Sequence, residues 1–318
     1  MIRYLPLLLS GLLMQSPVSA EPQDVRGWLT AMNRAVHNLD YEGTFVYLHG
    51  EQLEAMRVIH TTDTDGERER LISLNGAARE VVRDSASVIC VAPDARSVSV
   101  GRRIEGAGMR AVFSMDVDGL SRWYDFRLLG QTRVTGRQAQ VVAILPRDHY
   151  RYGYRLFLDR DTALPLKTDL LGTDSRPISQ IMFTSLTLGS AAPAVTEVSL
   201  EGSENYAWTQ SRPARVVDTG DWEFDDLPPG FQVTLHARSP AGDGRPAVEH
   251  YILSDGLASA SVYIERADAE EGWNGGSRMG AVNAYGRMVD SFQVTVVGSV
   301  PAVTVERIGQ GTRWNGEP

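Results

Sequence analysis

The sequence predicts an α+β protein that is mostly β: a large antiparallel sheet packed against a helix, followed by a smaller α+β domain. Three observations carry this. A helix-period apolar stripe stands near the start, at Val25, Trp28, Leu29, Met32, Val36 and Leu39. Long period-two alternation follows, broken at short intervals by Gly, Asn and Asp turns. From Glu201 to Asp226 seven acidic residues meet only Arg212 and Arg215, around Pro213, and alternation resumes beyond.

Met1-Ile2-Arg3-Tyr4 is a short positive start, Leu5 to Met14 an apolar run too short to span a bilayer, and Val18-Ser19-Ala20 a run of small residues. This reads as a signal peptide, residues 1–20, cleaved after Ala20, and predicts an exported, periplasmic protein. Cys90 is the sole cysteine, so no intramolecular disulfide forms, and its place in Ser87–Val91 predicts a buried strand thiol. The net charge of −9 supplies no field for nucleic acid. Of 31 basic residues only Lys167 is lysine, which leaves a surface rich in planar donors.

Asp24 is the predicted N-cap of the first helix. In Tyr41 to Leu48 the residues Tyr41, Gly43, Phe45 and Tyr47 share one face. His49-Gly50-Glu51 turns the chain into Leu53 to His60, and Asp63-Thr64-Asp65-Gly66 into Arg68 to Leu74. Asn75-Gly76 leads to Arg79–Arg83, and strands continue at Ser87–Ala92 and Ser97–Ile104. Both faces of this meander are partly apolar, so the sheet must curl round a core, accept a helix or hold a ligand. Gly106 to Leu129 breaks the pattern and reads as helix and irregular chain, either a core-covering loop or a lid over an apolar cavity. Candidate lining for that cavity is Phe45, Tyr47, Met109, Phe113, Met115, Trp123 and Phe126, large and adaptable apolar side chains.

Strands resume at Thr132–Val134, Gln138–Leu145, Tyr150–Asp159, Ala163–Leu170 and Gln180–Leu188. In Tyr150–Asp159 the residues Tyr150, Tyr152, Tyr154, Leu156 and Leu158 share a face, with Arg151 on the other. The division predicted is residues 21–200 as the large domain, 201–219 as linker and 220–318 as the small one. The small domain carries strands at Gln232–Arg238, Glu249–Leu253, Ala260–Glu265, Val282–Met288 and Ser291–Val297, then a helix at Pro301–Ile308. Tyr251, Tyr263, Arg266, Arg278, Tyr285 and Arg287 are its candidate partner-binding residues, because Tyr and Arg dominate interface energetics.

Catalytic patterns are missing from the sequence: it holds no G-x-S-x-G, H-E-x-x-H or C-x-x-C. Its six histidines show no metal-ligand spacing, and His49 and His60, which could face each other in the hairpin, read as structural. Asp63–Gly66 and Asp116–Gly119 read as turns rather than calcium loops. The expectation is a binding protein, not an enzyme, with no cofactor and no metal.

Several motifs together resemble the RseB/MucB family of periplasmic sigma-factor regulators. They are Tyr41–Val46, Leu74-Asn75-Gly76 with Arg79–Arg83, Arg133–Arg137, Arg151–Asp159 with Leu164–Lys167, His250–Leu257 with Ser261–Glu265, and Gln293–Gly298 with Val300-Pro301. The likeness runs in order along the whole mature chain. It implies a half-open antiparallel barrel like LolA and LolB for the large domain. It also implies binding to the periplasmic domain of a membrane-anchored anti-sigma factor (MucA/RseA-like), which is shielded from regulated proteolysis. Release by a lipid or lipopolysaccharide-type signal is expected, alginate production is under such control in some bacteria, and the reading leaves room for a homodimer. The rival expectation is a periplasmic lipid or lipoprotein carrier.

Overall fold

The structure is a computed structural model describing residues 22, 24–64, 66–102, 112–113, 115–189, 205–210, 215–217, 220–241, 247–268 and 272–316. The signal-peptide reading, Met109 and most of the 201–219 linker lie outside these residues.

Helix α1 (Val25–Asn38) starts where the sequence places it: the Asp24 side chain accepts from the Gly27 amide at 2.7 Å. Its stripe is buried at Trp28, Leu29, Met32, Ala35 and Val36. A meander follows of β1 (Tyr41–His49), β2 (Gln52–Asp63), β3 (Gly66–Ser73), β4 (Glu80–Arg83), β5 (Ser87–Ala92) and β6 (Ser97–Arg102). A short helix α2 (Val117–Leu120), capped by Asp116, stands where a turn is expected. Then come β7 (Tyr124–Val134), β8 (Arg137–Pro146), β9 (Gly153–Asp159), β10 (Pro165–Leu171), β11 (Pro177–Leu188) and β12 (Ala207–Gln210).

These twelve strands form one sheet in the order β12-β6-β5-β4-β3-β2-β1-β11-β10-β9-β8-β7. Every pairing is antiparallel except β12 with β6. The two edges, β12 and β7, do not pair with each other, so the sheet is open. It nevertheless curls: α1 contacts both β2 and β7, which β1, β11, β10, β9 and β8 separate. A flat sheet could not present both strands to one helix. The half-open architecture expected is the one found.

A second sheet is ordered β13-β15-β16-β17-β20-β19-β18. Its strands are β13 (Arg215–Val216), β15 (Gln232–Ser239), β16 (Val248–Ser254), β17 (Ser259–Arg266), β18 (Gly275–Met279), β19 (Val282–Val289) and β20 (Phe292–Gly298). Helix α3 (Ala302–Gly311) packs on β19 and β20, and β14 (Trp222–Phe224) pairs with β21 (Thr312–Trp314) beside it. Val262, Val294, Val296, Val305 and Ile308 fill the space between sheet and helix.

Four readings are corrected. The stretch Gly106–Leu129 is not all helix and irregular chain: Tyr124 to Leu128 extend β7 and pair along β8. Cys90 is only half-buried. His49 and His60 sit at opposite ends of their hairpin, opposite Gln52 and Tyr41, and each meets its own carboxylate, Glu54 at 3.2 Å and Glu67 at 3.3 Å. The strand expected from Tyr150 begins only at Gly153.

That last difference has a physical reason. Tyr150, Arg151 and Tyr152 stand ahead of β9 and hold the second sheet. The Tyr150 carbonyl accepts from Thr304 Oγ1 at 2.6 Å, and the Tyr152 hydroxyl accepts from Asn283 Nδ2 at 3.1 Å. Between them the Arg151 side chain is fully buried, as is that of Asp255, its partner at 3.1 Å. Asp148 stands 3.3 Å from Arg151 Nε, and both carboxylates meet the guanidinium as ion pairs rather than aligned hydrogen bonds. Arg151 Nη2 also donates to the Pro229 carbonyl, and the guanidinium lies over the rings of Trp123, Tyr124 and Phe231 at 5.3–5.5 Å. Gly230 takes φ +84° against the Trp123 ring, where a Cβ would collide. Leu257 and Ala281 of the second sheet belong to the first sheet's core, so the two sheets share one apolar interior.

Candidate functional site

The pairing register defines what lies on the concave face. Along β9, β10, β11 and β1 a first row runs Tyr154–Leu170–Ser179–His49. Two residues further along each strand, about 7 Å at strand rise, a second row runs Leu156–Thr168–Ile181–Tyr47. A third step brings Phe183 opposite Phe45.

An apolar cavity of about 190 Å³ lies over the third row. Phe45, Phe183, Tyr41, Val58, Leu71 and Phe113 wall it, with Val36 reaching in from α1. Its polar neighbours are already satisfied: Arg83 pairs with Glu69 at 3.3 Å and Lys167 with Asp169 at 3.2 Å. A cavity of about 410 Å³ lies over the first row. All four residues of that row line it, and the second sheet closes it with Leu257, Ala281, Val282, Val297 and the serines Ser259, Ser261 and Ser299. Burial, and then the nearby Asp255 charge, push the Tyr154 phenol well above its ordinary range, so it is un-ionised there. Desolvation likewise lowers the His250 pKa, and that ring, stacked on Tyr263, meets the Ser261 hydroxyl at 3.0 Å.

The candidate lining residues are therefore split. Phe45 and Phe113 stand on the smaller cavity, and Tyr47 on the larger. Met115 and Phe126 pack against the first core away from both, and Trp123 covers Arg151. Met109 lies outside the described residues. Of the partner-binding candidates, Tyr251 is buried and stacked on His236, and Tyr285 packs against Gly309 of α3. Arg287 donates to the Gln310 and Thr312 carbonyls at the end of α3. These three make contacts within the small domain. Tyr263, Arg266 and Arg278 remain exposed. Arg266 lies over Phe292, and Arg278 Nε donates to the Gly280 carbonyl.

Ser179, His49 and the Arg151–Asp255 pair escape sequence reasoning. Each lies in or beside a strand whose alternation is ordinary, and only pairing register and docking give it a role. Among the described residues no group of three His, Cys, Asp or Glu is placed to hold a metal ion.

A curved open sheet with an apolar cavity, capped by a second sheet, defines a class of binding proteins, and comparison with known proteins gives the family. The model of the MucB/RseB N-terminal domain matches residues 24–203, and that of the C-terminal domain residues 217–313. This chain belongs to the MucB/RseB family. It is 36% identical over 314 residues to the sigma factor AlgU regulatory protein MucB of Pseudomonas aeruginosa, covering 96% of each. It is 26% identical over 322 residues to the sigma-E factor regulatory protein RseB of Escherichia coli K12, covering 97% of this chain and 96% of that one. Among solved structures, the P. aeruginosa MucA/MucB complex superposes with a TM-score of 0.73 at 32% identity, over 92% of this chain and all of the other. MucB alone gives 0.66 at 33% identity, over 92% and 98%.

Proposed function

We propose that this chain is a periplasmic negative regulator of an envelope-stress sigma factor. It binds the periplasmic part of a membrane-anchored anti-sigma factor of the MucA/RseA kind and shields it from regulated proteolysis. The observation that carries this is the end-to-end likeness to a MucB solved in complex with MucA(peri). The anti-sigma segment lies along the rim of the second sheet, where Tyr263 is exposed on the face that carries Ser261 and Arg266 and Arg278 are exposed on the opposite face. The smaller cavity takes an acyl chain, which is the signal that weakens the grip. The exported form begins at Glu21, and the division into 21–200 and 220–318 is the one read from the sequence. A lipid or lipoprotein carrier would use the same cavities, and the end-to-end likeness to a MucB solved with MucA(peri) favours the regulator.

The test is digestion of the organism's own anti-sigma periplasmic segment by an unrelated protease, with and without the mature chain. Equimolar protein is expected to slow cleavage at least tenfold; an unchanged rate overturns the reading. Phe113→Ala tests the acyl site. The Phe113 ring is half-buried on a cavity wall, so its removal should cost about 1 kcal/mol of stability while weakening lauric acid binding several-fold. Severe destabilisation with unchanged lauric acid affinity would make Phe113 plain core.

A further inference from the structure

The face of the second sheet that carries Ser261 also carries two exposed aromatic rings and an unengaged carboxylate. β17, β20 and β19 lie side by side, and the register sets Tyr263 opposite Thr295 and Thr295 opposite Gly286. One step along the same face, Glu265 stands opposite Gln293. Tyr263 is 38% exposed, and Trp273, in the segment ahead of β18, is 37% exposed.

Both rings are held rather than loose. Gln293, itself buried, accepts from the Trp273 amide through Oε1 at 2.7 Å and donates through Nε2 to the Trp273 carbonyl at 3.1 Å. The indole then rests on the bare backbone of Gly286, where a Cβ would fall 2.2–2.8 Å from three ring atoms. A flat seat of that kind leaves the other face of the indole outward. Tyr263 stacks on His250, with centroids 4.4 Å apart. Because β16 lies on one side of β17 and β20 on the other, the free Tyr263 face looks across Thr295 toward the indole. Two strand spacings, about 10 Å, separate Tyr263 from the glycine seat.

Glu265 closes one side of this slot. It is half-buried, and among the described residues no hydrogen bond or ion pair engages its carboxylate. Its neighbour Arg266 points to the opposite face, over Phe292. An apolar group covering the slot would strand that carboxylate, and an anion would be repelled by it. A cation is drawn by all three groups, by the ring faces through their quadrupoles and by the carboxylate through its charge. The net charge of −9 favours the approach of a basic segment.

We propose that the slot formed by Tyr263, Trp273 and Glu265 on the second sheet takes an arginine or lysine side chain of the anti-sigma periplasmic segment. This rests on the anti-sigma reading above and names what the rim of the second sheet grips.

The experiment titrates the anti-sigma periplasmic segment into the mature chain by calorimetry, unaltered and then with each of its arginines and lysines replaced in turn by glutamine. Against the parent chain one basic position is expected to lose about tenfold in affinity, the size of a partly desolvated cation–π contact. Against Trp273→Ala the same replacement should lose less than about twofold, because the contact is already gone. Trp273→Phe, which keeps a ring face, should recover part of the loss. Glu265→Gln should weaken the unaltered segment about threefold and reduce its salt dependence. Gly286→Ala keeps all three side chains but unseats the indole, and should weaken binding as Trp273→Ala does. Binding that survives Trp273→Ala and every glutamine replacement overturns the slot and leaves the regulator reading standing. Absence of binding to the parent chain removes both. Loss in Trp273→Ala with no basic position coupled to it also overturns the proposal, since it marks a merely apolar contact. So does unchanged segment binding in Trp273→Ala with lost binding to phosphatidylethanolamine vesicles, which would assign the slot to a lipid amine.

Discussion

Arg151→Ala is expected to cost about 3–5 kcal/mol of stability and to separate the unfolding of the two sheets. The substitution leaves the Asp255 carboxylate enclosed without its cation, still accepting from the amides of Leu257 and Ala258 and from the Tyr124 hydroxyl. An uncompensated buried charge is what makes half of a buried pair so costly to remove. It also leaves a gap among Trp123, Tyr124 and Phe231, the three rings that now face the guanidinium. Denaturant unfolding followed by tryptophan emission checks this, with the midpoint falling and the single transition splitting. Replacing both members, Arg151→Leu with Asp255→Leu, should recover much of the loss, because the pair is removed rather than broken. A cost below about 1 kcal/mol would mean that the sheets are held together by the shared apolar core alone.

Trp28→Ala carries the second large effect, about 3–5 kcal/mol. Trp28 is 1% exposed on the inward face of α1, the helix around which the large sheet curls. Removing its indole opens a cavity at the point where that helix must hold β2 and β7 at once. Chemical denaturation of the variant against the parent measures the loss. The contrast with Phe113→Ala is informative, since both remove a large aromatic from the same concave side. One lies in the core, the other on the wall of a space.

Much of this architecture is legible in the chain. The α1 stripe and its Asp24 cap, the hairpins from Tyr41 to Ala92, and the alternation of Tyr154, Leu156 and Leu158 are local patterns, and local patterns survive in sequence. The strands that were missed are those with no pattern to read. β18 is Gly-Gly-Ser-Arg-Met, and β12, β13, β14 and β21 are two to four residues long, held by a neighbour rather than by propensity.

The site was harder to read, for a different reason. Phe45 and Phe113 announce an apolar cavity because their side chains are large. Ser179 announces nothing, since a serine beside Gln180 at the start of a strand is unremarkable until His49 and Leu170 are paired on either side of it. Arg151 sits in a stretch that alternates like a strand and would be assigned to an exposed face. Its burial follows from the docking of Asp255 and Pro229, about a hundred residues and eighty residues away respectively, and no local window contains both ends of such a contact. Tyr251 and Arg287, residue types favoured at interfaces, make contacts within the second sheet and with its helix that no local window shows.

In the proposed function one chain binds an anti-sigma segment and an acyl ligand at the expense of each other. Calorimetric titration of the organism's anti-sigma periplasmic segment into the mature chain, alone and saturated with lauric acid, is the decisive measurement. Saturable one-to-one binding is expected, weakening at least tenfold in the presence of lauric acid, and by reciprocity by the same factor when the order of addition is reversed. Absence of saturable binding, or an affinity that lauric acid leaves untouched, would contradict the proposed function.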